Sequence, residues 1–485
     1  MPTDARVDAV IVGAGPAGLA AASTLLRGNA SRITVVDAGH SVGGQFWRQP
    51  APSTAPNGLR ADAQRDLHHD LGTFDRLRAD LDRGVADGRV ELLTGHQAWT
   101  VEAVGSRAGG AAAFTVHLAE QLRPGVDAAR ARTGRTLLIA TGAFDRALPF
   151  PGWDLPGVLT VGGLQALLKA GDVLAGRRVA IGGTGPFLLP VAAGLAQRGA
   201  QVVGVFEANT PARWLRHPRA LAVNAGKLVE GADYAATLAR RRVPVRPRTM
   251  VVQAHGADRV EAVTIMRLDG RGRLRSGTER RLEVDAVGIG WGFTPQLDLV
   301  LTLGCELDTQ PDGTRVTAVD ADQQSSRAGV FVAGETTGVG GATLAVAEGH
   351  AAGAAMARRL ADAYETSAQP SREVVRLRAF AAALQAAHPV PPAWREALTP
   401  ETTFCRCEEV RYAAVQDALG GAGCDTRTDA RQLKQLTRVG MGWCQGRVCG
   451  FAADLVTSGR PGLPPERLVA APVSLGALAD THPPP

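Results

Sequence analysis

Residues 7–26, VDAVIVGAGPAGLAAASTLL, contain the pattern that decides the fold of this chain. The β-branched run 7–12 is typical of a buried parallel strand, and the apolar run that follows predicts a helix. Gly13 permits a tight turn, Gly15 lets the backbone approach a pyrophosphate, and Gly18 lets the helix pack closely on the sheet. Pro16 stands in the same turn, and the helix N-terminus would face the anion.

A second apolar strand follows at residues 33–36 and ends in an acid at Asp37. A carboxylate at this distance from Gly18 can accept hydrogen bonds from both hydroxyls of an adenosine ribose. Strand, glycine turn, helix, strand and acid in this order predict a dinucleotide-binding fold, whereas a glycine-rich turn alone would be weak evidence. FAD and NAD share the pattern, so the choice between them must come from other segments.

Two later segments favour FAD. Residues 137–142, LLIATG, are typical of a strand that ends in a tight turn at Thr141 and Gly142. Residues 329–335, GVFVAGE, predict a late strand that ends at Gly334 and Glu335. The position of the glycine pattern at the start of the chain points the same way. We therefore predict an α/β chain whose first domain binds FAD.

Composition excludes several classes of protein. Of the 485 residues, 45% are hydrophobic and 21% are charged, so the chain is neither disordered nor collagen-like. The net charge of +6 is not gathered in one basic run, which argues against a nucleic-acid partner. The apolar stretch 9–26 has no cationic leader, and glycines interrupt it. We therefore expect no transmembrane segment and a cytoplasmic protein, with any membrane association made through partners.

These segments resemble the FAD domain of the two-dinucleotide flavoprotein oxidoreductases, the relatives of glutathione and thioredoxin reductase. The resemblance implies that Glu335, where aspartate is usual, binds a ribityl hydroxyl of the flavin. It also implies that Gly44 and Gln45 lie in the loop that passes the flavin, and that the backbone of Ala98 meets the adenine. Disulfide reductases of this kind need a cysteine pair beside the flavin. No cysteine precedes Cys305, so thioredoxin or glutathione reduction is excluded.

Residues 177–207 repeat the strand, the glycine turn and the terminal acid, here Glu207. The third glycine position holds Leu188, whose bulky side chain should push the helix away from the sheet. We predict a second nucleotide-binding fold without NAD(P) turnover, and whether it holds a mononucleotide or nothing stays open. A strand at residues 285–290 and a helix from residue 342 should return the chain to the first domain. By resemblance, that helix points its N-terminus at the flavin pyrimidine.

Five of the six cysteines lie in the last fifth of the chain. Four of them form two pairs that are close in sequence, Cys405 with Cys407 and Cys444 with Cys449. Four thiolates in two pairs are what a [2Fe-2S] cluster requires, with two on each iron. Zinc also takes four cysteines, although a one-residue gap suits it poorly, and structural free thiols are a third alternative. Cys424 has no close partner and should take no part.

Basic residues should surround an anionic cluster, and glycines should free backbone amides for its sulfurs. The residues concerned are Arg406, Lys434, Arg438, Arg447, Gly440, Gly442 and Gly446.

Residues 405–410, CRCEEV, and residues 437–449, TRVGMGWCQGRVC, closely resemble the bacterioferritin-associated-ferredoxin-like [2Fe-2S] domain. The likeness is strongest to the version fused to the flavoprotein subunit of hydrogen cyanide synthase, opine oxidases and dye-linked proline or hydroxyproline dehydrogenases. In this chain Trp443 stands where that family often has proline. The resemblance implies an electron-transfer subunit with FAD and a [2Fe-2S] cluster, in a complex that oxidises an amino acid or amine. Its implied partners are a small [2Fe-2S] subunit together with a D-amino-acid-oxidase-like flavoprotein subunit.

The expected FAD-binding domain comprises residues 1–150 and 280–365, with a second nucleotide-binding domain inserted at 151–279. A linker and helix at 366–402 precede a mostly helical cluster domain and tail at 403–485. No residue is predicted to carry substrate chemistry, because His68 and His69 lie in a polar stretch typical of a solvated face. Two other functions stay open. One is a stand-alone NAD(P)H-dependent reductase that passes electrons to its fused cluster, and the other is an assembly protein that holds both groups for structure only.

Overall fold

The structure is a computed structural model. It describes residues 6–28, 30, 32–50, 67–105, 113–120, 130–362, 369–420, 429–459, 469–476 and 478. Cys424 and part of the expected linker, residues 366–368, lie outside these ranges. Within these ranges, none of the helices combines the length and the apolar character that crossing a membrane requires.

The strands, in chain order, are β1 (Arg6–Val12), β2 (Ile33–Asp37), β3 (Val90–Thr94), β4 (His96–Val104), β5 (Ala113–Glu120), β6 (Arg130–Ile139), β7 (Ala143–Asp145), β8 (Val158–Thr160), β9 (Arg178–Gly183), β10 (Gln201–Glu207), β11 (Val245–Pro247), β12 (Thr249–His255), β13 (Ala262–Arg267), β14 (Arg280–Glu283), β15 (Ala286–Gly290), β16 (Phe293–Pro295), β17 (Leu307–Thr309), β18 (Arg315–Thr317), β19 (Val330–Val332), β20 (Thr403–Cys405) and β21 (Val410–Arg411). The α-helices are α1 (Pro16–Arg27), α2 (Leu71–Ala86), α3 (Val161–Gly171), α4 (Leu188–Gln197), α5 (Pro218–Val223), α6 (Ala225–Arg240), α7 (Asp298–Thr302), α8 (Ala342–Leu360), α9 (Arg372–Ala387), α10 (Ala393–Glu396), α11 (Tyr412–Gly420), α12 (Ala430–Thr437) and α13 (Gly450–Ser458). Short 3₁₀ helices cover Pro211–Arg216 and Gly334–Thr337.

The first sheet has the strand order β3-β2-β1-β6-β5-β4, and β19 pairs with β6. Strand β1 lies parallel between β2 and β6, as its apolar residues favour. The other end is an antiparallel meander of β4, β5 and β6. Helices α1 and α8 pack closely, because Gly349 lies against the backbone of Ala17, where a Cβ would overlap its carbonyl oxygen.

The second sheet is wholly parallel, with the order β11-β10-β9-β15-β8. Together, the two sheets and their helices confirm an α/β chain with two nucleotide-binding folds. The expectation that residues 285–290 return the chain to the first domain is wrong, because β15 pairs with β8 and β9. Its glycines make room for the second fold's helices. Leu164 packs at Gly288, and Leu188 packs at Gly290.

Strands β7 and β16 form a two-stranded antiparallel connection, with Asp145 opposite Phe293. Residues 146–154 follow β7 and join the core that encloses the C-terminal segment. Leu148, Phe150 and Trp153 share this buried cluster with Cys405 and Cys449. The C-terminal segment consists of the β20–β21 hairpin and helices α11, α12 and α13, and it packs where the chain crosses from one nucleotide-binding fold to the other.

Candidate functional site

The glycine turn between β1 and α1 needs its glycines for steric reasons. Gly13 has φ +105°, and a Cβ there would overlap the Ala140 carbonyl. A Cβ at Gly18 would overlap the carbonyl oxygen of Gly13, so the helix packs directly on the turn. At Gly15 the nearest heavy atom to a Cβ would be Gly44 Cα at 3.8 Å, which leaves the turn open on that side.

The N-terminus of α1 is available to an anion. Gly15 is its N-cap and provides no side-chain hydrogen bond, and Pro16 begins the helix. Asp37 lies beside this turn at the end of β2. Its carboxylate accepts hydrogen bonds from the backbone N–H of Ala14 at 2.6 Å and of Gly39 at 2.7 Å. Burial raises the pKa of Asp37, and each oxygen keeps a lone pair for a ribose hydroxyl.

The loop after β2 passes close to the glycine turn. A Cβ at Gly44, whose φ is +60°, would lie 2.9 Å from Cα of Gly15. Gln45 is exposed and accepts a hydrogen bond from a neighbouring arginine. Ala98 is buried in β4, where its carbonyl accepts a hydrogen bond from the Gln97 side chain at 2.9 Å. The flavin contact of Gln45 and the adenine contact of Ala98 stay predictions.

Three further predicted residues lie where β6 and β19 end. Thr141 donates a hydrogen bond to the carbonyl of Gln296 at 3.1 Å. Gly142 and Gly334 have φ values of +74° and +80°, which glycine adopts without strain. The N–H of Gly334 donates to the buried Glu348 carboxylate at 2.9 Å. The two ends therefore form turns side by side at one edge of the sheet, since β6 and β19 run parallel.

Glu335 follows these turns, and a second acid, Asp145, lies near enough for its charge to act on it. Burial raises the pKa of Glu335 to about 7 against the opposing hydrogen bond from the N–H of Gly341, and the charge of Asp145 adds to the rise. Asp145 accepts hydrogen bonds from the Thr160 hydroxyl at 2.7 Å and from the N–H of Gly162. Burial raises its pKa too. The two carboxyls thus lie at the contact between the two nucleotide-binding folds.

These groups match the chemistry of FAD from one end to the other. Asp37 offers an acceptor for ribose hydroxyls, the uncapped N-terminus of α1 offers N–H donors for the pyrophosphate, and Glu335 offers an acceptor for ribityl hydroxyls. The N-terminus of α8 also lacks a side-chain cap, because Gly341 is its N-cap, and its dipole favours negative charge. The residues present therefore fit the group that the fold implies.

The second glycine turn has the same backbone but a different helix start. Gly183 has φ +133°, and Glu207 accepts hydrogen bonds from the N–H of Gly185 at 2.8 Å and of Asn209 at 2.8 Å. Leu188 is 1% exposed and packs in the core of this fold. Helix α4 begins at Leu188, five residues after Gly183, whereas α1 begins at Pro16, three residues after Gly13.

The segment after α9 covers the acid of the second fold. His388 Nδ1 lies 3.7 Å from Glu207 Oε1, and the amide of Asn209 donates to the Pro389 carbonyl at 2.9 Å. The Trp214 indole donates to His388 Nε2 at 3.1 Å. The carboxylate that a second dinucleotide would use is therefore engaged by the chain itself.

The four predicted cysteines form two pairs, but each pair takes one member from each motif. Cys449 Sγ lies 3.7 Å from Cys405 Sγ, and Cys407 lies within hydrogen-bonding reach of Cys444. The Cys449 thiol lowers the pKa of Cys405 to about 5, while burial and the neighbouring thiol raise the pKa of Cys407 and that of Cys449. Two thiolates on one tetrahedral metal at about 2.3 Å lie about 3.8 Å apart, so the spacing fits one iron for each pair.

No three His, Cys, Asp or Glu side chains among the described residues already converge as a metal site. One [2Fe-2S] cluster needs two thiolate pairs side by side, and the thiolates of each pair act electrostatically on the other pair, so the two pairs are neighbours. The N–H of Gly440 donates to the Cys405 sulfur, and Gly442 lets its backbone approach the Cys407 side chain. Trp443, beside Cys444, is 80% exposed.

Three of the basic residues expected around the cysteines have protein partners. Arg406 stacks on Trp153 at 5.0 Å. Arg438 pairs with Glu408 at 2.8 Å, and Arg447 pairs with Asp298 at 3.1 Å. Asp298 begins α7, which follows the β7–β16 connection, so Arg447 ties the cysteine segment to the FAD-binding fold.

Sequence reasoning missed Lys169, Asp145 and Arg146. Arg146 is buried, donates to the Phe293 carbonyl at 3.0 Å, and lies 4.0 Å from the centre of the Phe451 ring, two residues after Cys449. Only Lys169 could have been noticed in the sequence, because it is a cation that follows the mostly apolar run 161–168 in a chain with three lysines.

His68 and His69 lie before α2, not within a helix. His68 is hydrogen-bonded to the Arg48 carbonyl at 2.7 Å, and His69 is 3.5 Å from Glu230.

Known proteins share this fold along most of the chain. The family model described as pyridine nucleotide-disulphide oxidoreductase matches residues 7–351. An opine oxidase subunit of Rhizobium meliloti strain 1021 is 34% identical and covers 98% of both chains. Hydrogen cyanide synthase subunit HcnB of Pseudomonas protegens is 30% identical over 92% of this chain and 91% of its own. The crystal structure of L-proline dehydrogenase from P. horikoshii matches 98% of this chain and 80% of that one, with a TM-score of 0.63 and 20% identity, a likeness of fold.

Proposed function

This chain belongs to the pyridine nucleotide-disulphide oxidoreductase family, among relatives named as subunits of opine oxidase and of hydrogen cyanide synthase, and we propose that it is the electron-transfer subunit of an amino-acid or amine dehydrogenase complex. It is an FAD-dependent oxidoreductase. The finer function combines FAD with a [2Fe-2S] cluster held by the C-terminal cysteines. The observation that carries it is the pairing of Cys405 with Cys449 at 3.7 Å. Both lie in the buried core that they share with residues 148–153, where the chain passes from the first fold to the second.

The FAD would lie along the first sheet. Gly13, Gly15 and Gly18 let α1 present its N–H groups to the pyrophosphate, and Asp37 orients the adenosine ribose. Glu335 holds the ribityl chain at the other end. The domain that does this comprises residues 1–150 and about 291–365, since β15 belongs to the inserted fold.

The cluster would be held by two pairs of thiolates. Cys405 and Cys449 are each 1% exposed, while Cys407 and Cys444 lie nearer the surface. Bound FAD exchanges electrons in pairs and a bound [2Fe-2S] cluster exchanges them singly, so one chain with both converts between the two modes. Residues 403–485 form this domain and tail. The names of the relatives support partner subunits, and we assign a D-amino-acid-oxidase-like flavoprotein and a small [2Fe-2S] chain.

The test removes one predicted iron ligand. Cys449→Ser should abolish the electron paramagnetic resonance signal of the reduced cluster and lower the iron content, with FAD retained. The control is Cys305→Ser, since Cys305 is also buried but packs in the core of the first fold and should keep the cluster. Equal iron content in both variants, or zinc in place of iron in the wild type, would contradict the proposal.

Whether the second fold binds NAD(P)H distinguishes this function from that of a stand-alone NAD(P)H-dependent reductase. Its glycine turn favours nucleotide binding, whereas the late start of α4 at Leu188 and the contact of His388 with Glu207 disfavour it. We expect that anaerobic mixing with excess NADH or NADPH leaves the flavin absorbance unchanged over seconds. Rapid bleaching would favour the reductase. Turnover of the purified complex that survives loss of Cys444 and Cys449 would instead favour an assembly role.

A further inference from the structure

Lys169 is a buried cation at the contact between the two nucleotide-binding folds. It is 4% exposed, and its Nζ donates a hydrogen bond of 2.7 Å to the carbonyl oxygen of Phe46. An ammonium has three donors, and within the described ranges no carboxylate pairs with this one. Burial lowers the pKa of Lys169 to about 8, so the amine is still mostly protonated at pH 7. A buried cation without a counter-charge is costly, which points to a negative group beside it.

Helix α3 touches the FAD-binding fold at both of its ends. Its N-cap Thr160 donates to Asp145, the neighbour of Glu335, at 2.7 Å. Near its other end, Lys169 reaches Phe46, which follows the flavin loop. The distance along the helix from Thr160 to Lys169 is about 14 Å. Helix α3 therefore spans the cleft from the ribityl end of the site to the loop that passes the flavin.

Two further contacts connect the loop that carries Phe46 with the proposed FAD site. Gly44, two residues earlier, lies against the phosphate turn at Gly15. Phe46 also lines a cavity of about 360 Å³ together with Ala342 and Thr343 at the N-terminus of α8. Lys169 therefore meets the loop that follows the phosphate turn. Its Nζ bonds to the Phe46 carbonyl and lies 5.5 Å from the centre of the Phe46 ring, which leaves two N–H donors for a group in the cleft.

We propose that Lys169 is a flavin-contacting residue whose ammonium stabilises the negative charge that the isoalloxazine ring gains on reduction. The inference rests on the proposed placement of FAD. Uptake of two electrons and one proton leaves one net negative charge on the ring, and Lys169 offsets that charge across the domain contact. The second fold then contributes a cation to the flavin in place of a nicotinamide.

The test replaces the charge and measures the flavin. In the FAD-loaded full chain, Lys169→Met should keep FAD bound but lower the flavin midpoint potential. Sulfite is the probe, because its adduct leaves a negative charge on the ring. Loss of one nearby cation should weaken sulfite binding about tenfold or more. The matched control is Arg27→Met, which removes an exposed cation at the end of α1 and should change neither value.

A variant that retains FAD with an unchanged potential and unchanged sulfite affinity overturns the proposal. If Lys169→Met does not retain FAD, Lys169→Arg and Lys169→Gln make the same comparison, since the first keeps the charge and the second removes it. A higher potential in the arginine variant supports the proposal, and equal potentials overturn it. A wild-type chain that binds no FAD would instead refute the proposed function, so the two failures are distinguishable.

Discussion

Glu335 is a single residue whose chemistry depends on its neighbours. The charge of Asp145 acts on it, and the two half-buried carboxyls disfavour simultaneous ionisation. Burial and this neighbour raise the pKa of Glu335 to about 7, so that near neutral pH the carboxyl is partly protonated. A protonated carboxyl both donates and accepts hydrogen bonds, which suits a sugar hydroxyl. Asp145 is in turn held by the N-terminus of α3, so the inserted fold influences a group of the proposed FAD site.

This raised pKa predicts how the stability of the FAD-free protein depends on pH. Between the unfolded pKa of about 4.5 and the folded pKa of about 7, the native state binds more protons, so stability falls as pH rises through this window. The variant Glu335→Gln has no carboxyl to titrate at this position, so it does not lose this stability as the pH rises. The variant should be more stable than the wild type at pH 8, by up to about 3 kcal/mol, and equally stable at pH 4. Thermal melting at the two pH values measures the difference.

The matched control for that measurement is Glu261→Gln on the surface, which should not change the melting temperature at either pH. A wild type that is the more stable protein at pH 8 would refute the assignment.

At the scale of an element, the two glycine turns differ in where their helices begin. In the first fold, Gly18 lets α1 start at Pro16 with its N–H groups directed to the open side of the turn. In the second, the N–H of Leu188 donates to the Gly185 carbonyl at 3.2 Å, so a tight turn precedes α4. The dipole effect of a helix falls off within its first turn. The later start therefore weakens the anion site of the second fold.

Two alanine substitutions in the first glycine turn should have different effects, one on stability and the other on FAD affinity. In Gly18→Ala the new Cβ meets the carbonyl of Gly13, so the FAD-free protein should lose about 1–3 kcal/mol of stability. In Gly15→Ala the nearest heavy atom is 3.8 Å away, so stability should stay near that of the wild type while FAD affinity falls. Thermal melting without FAD and FAD titration check the two effects. Equal losses of stability would contradict this account.

At the scale of the whole molecule, the cysteine segment is held between the two folds by buried charged contacts. Arg447 pairs with Asp298, which is 7% exposed, and also donates to the Ala470 carbonyl. Arg146 continues from Asp145 and contacts the ring of Phe451. A short path of residues therefore runs from Asp145, near Glu335, to the helix after Cys449.

Removal of Arg447 should loosen this attachment. In Arg447→Gln the buried carboxylate of Asp298 loses a charged hydrogen-bond donor, at an expected cost of about 1.5–3 kcal/mol. We expect calorimetry to show the C-terminal segment melting in a separate, earlier transition, with FAD retained.

The control is Arg438→Gln, because Arg438 is 67% exposed and its pair with Glu408 should contribute about 1 kcal/mol or less. One unchanged transition in Arg447→Gln would contradict the coupling.

The late start of α4 at Leu188 came from the structure, whereas the sequence predicted the glycine turns, the acids at the ends of β2 and β10, and the break in the second glycine pattern. These features depend on residues close together along the chain. It placed β15 in the wrong fold, because five apolar residues do not indicate which sheet they join. It also paired the cysteines within each motif, whereas the buried core that holds Phe404 and Ala452 brings Cys449 beside Cys405.

By itself, the sequence determined that the chain has two nucleotide-binding folds, that only the first has the full glycine pattern, and that four cysteines are gathered at one end. Local hydrogen bonding, strand and helix periodicity and glycine conformations are encoded over short stretches. Only the tertiary structure decided that Lys169 reaches Phe46 and that Asp145 lies near Glu335. These partners lie more than a hundred residues apart, and burial of the surfaces between the folds, which no local pattern encodes, brings them together.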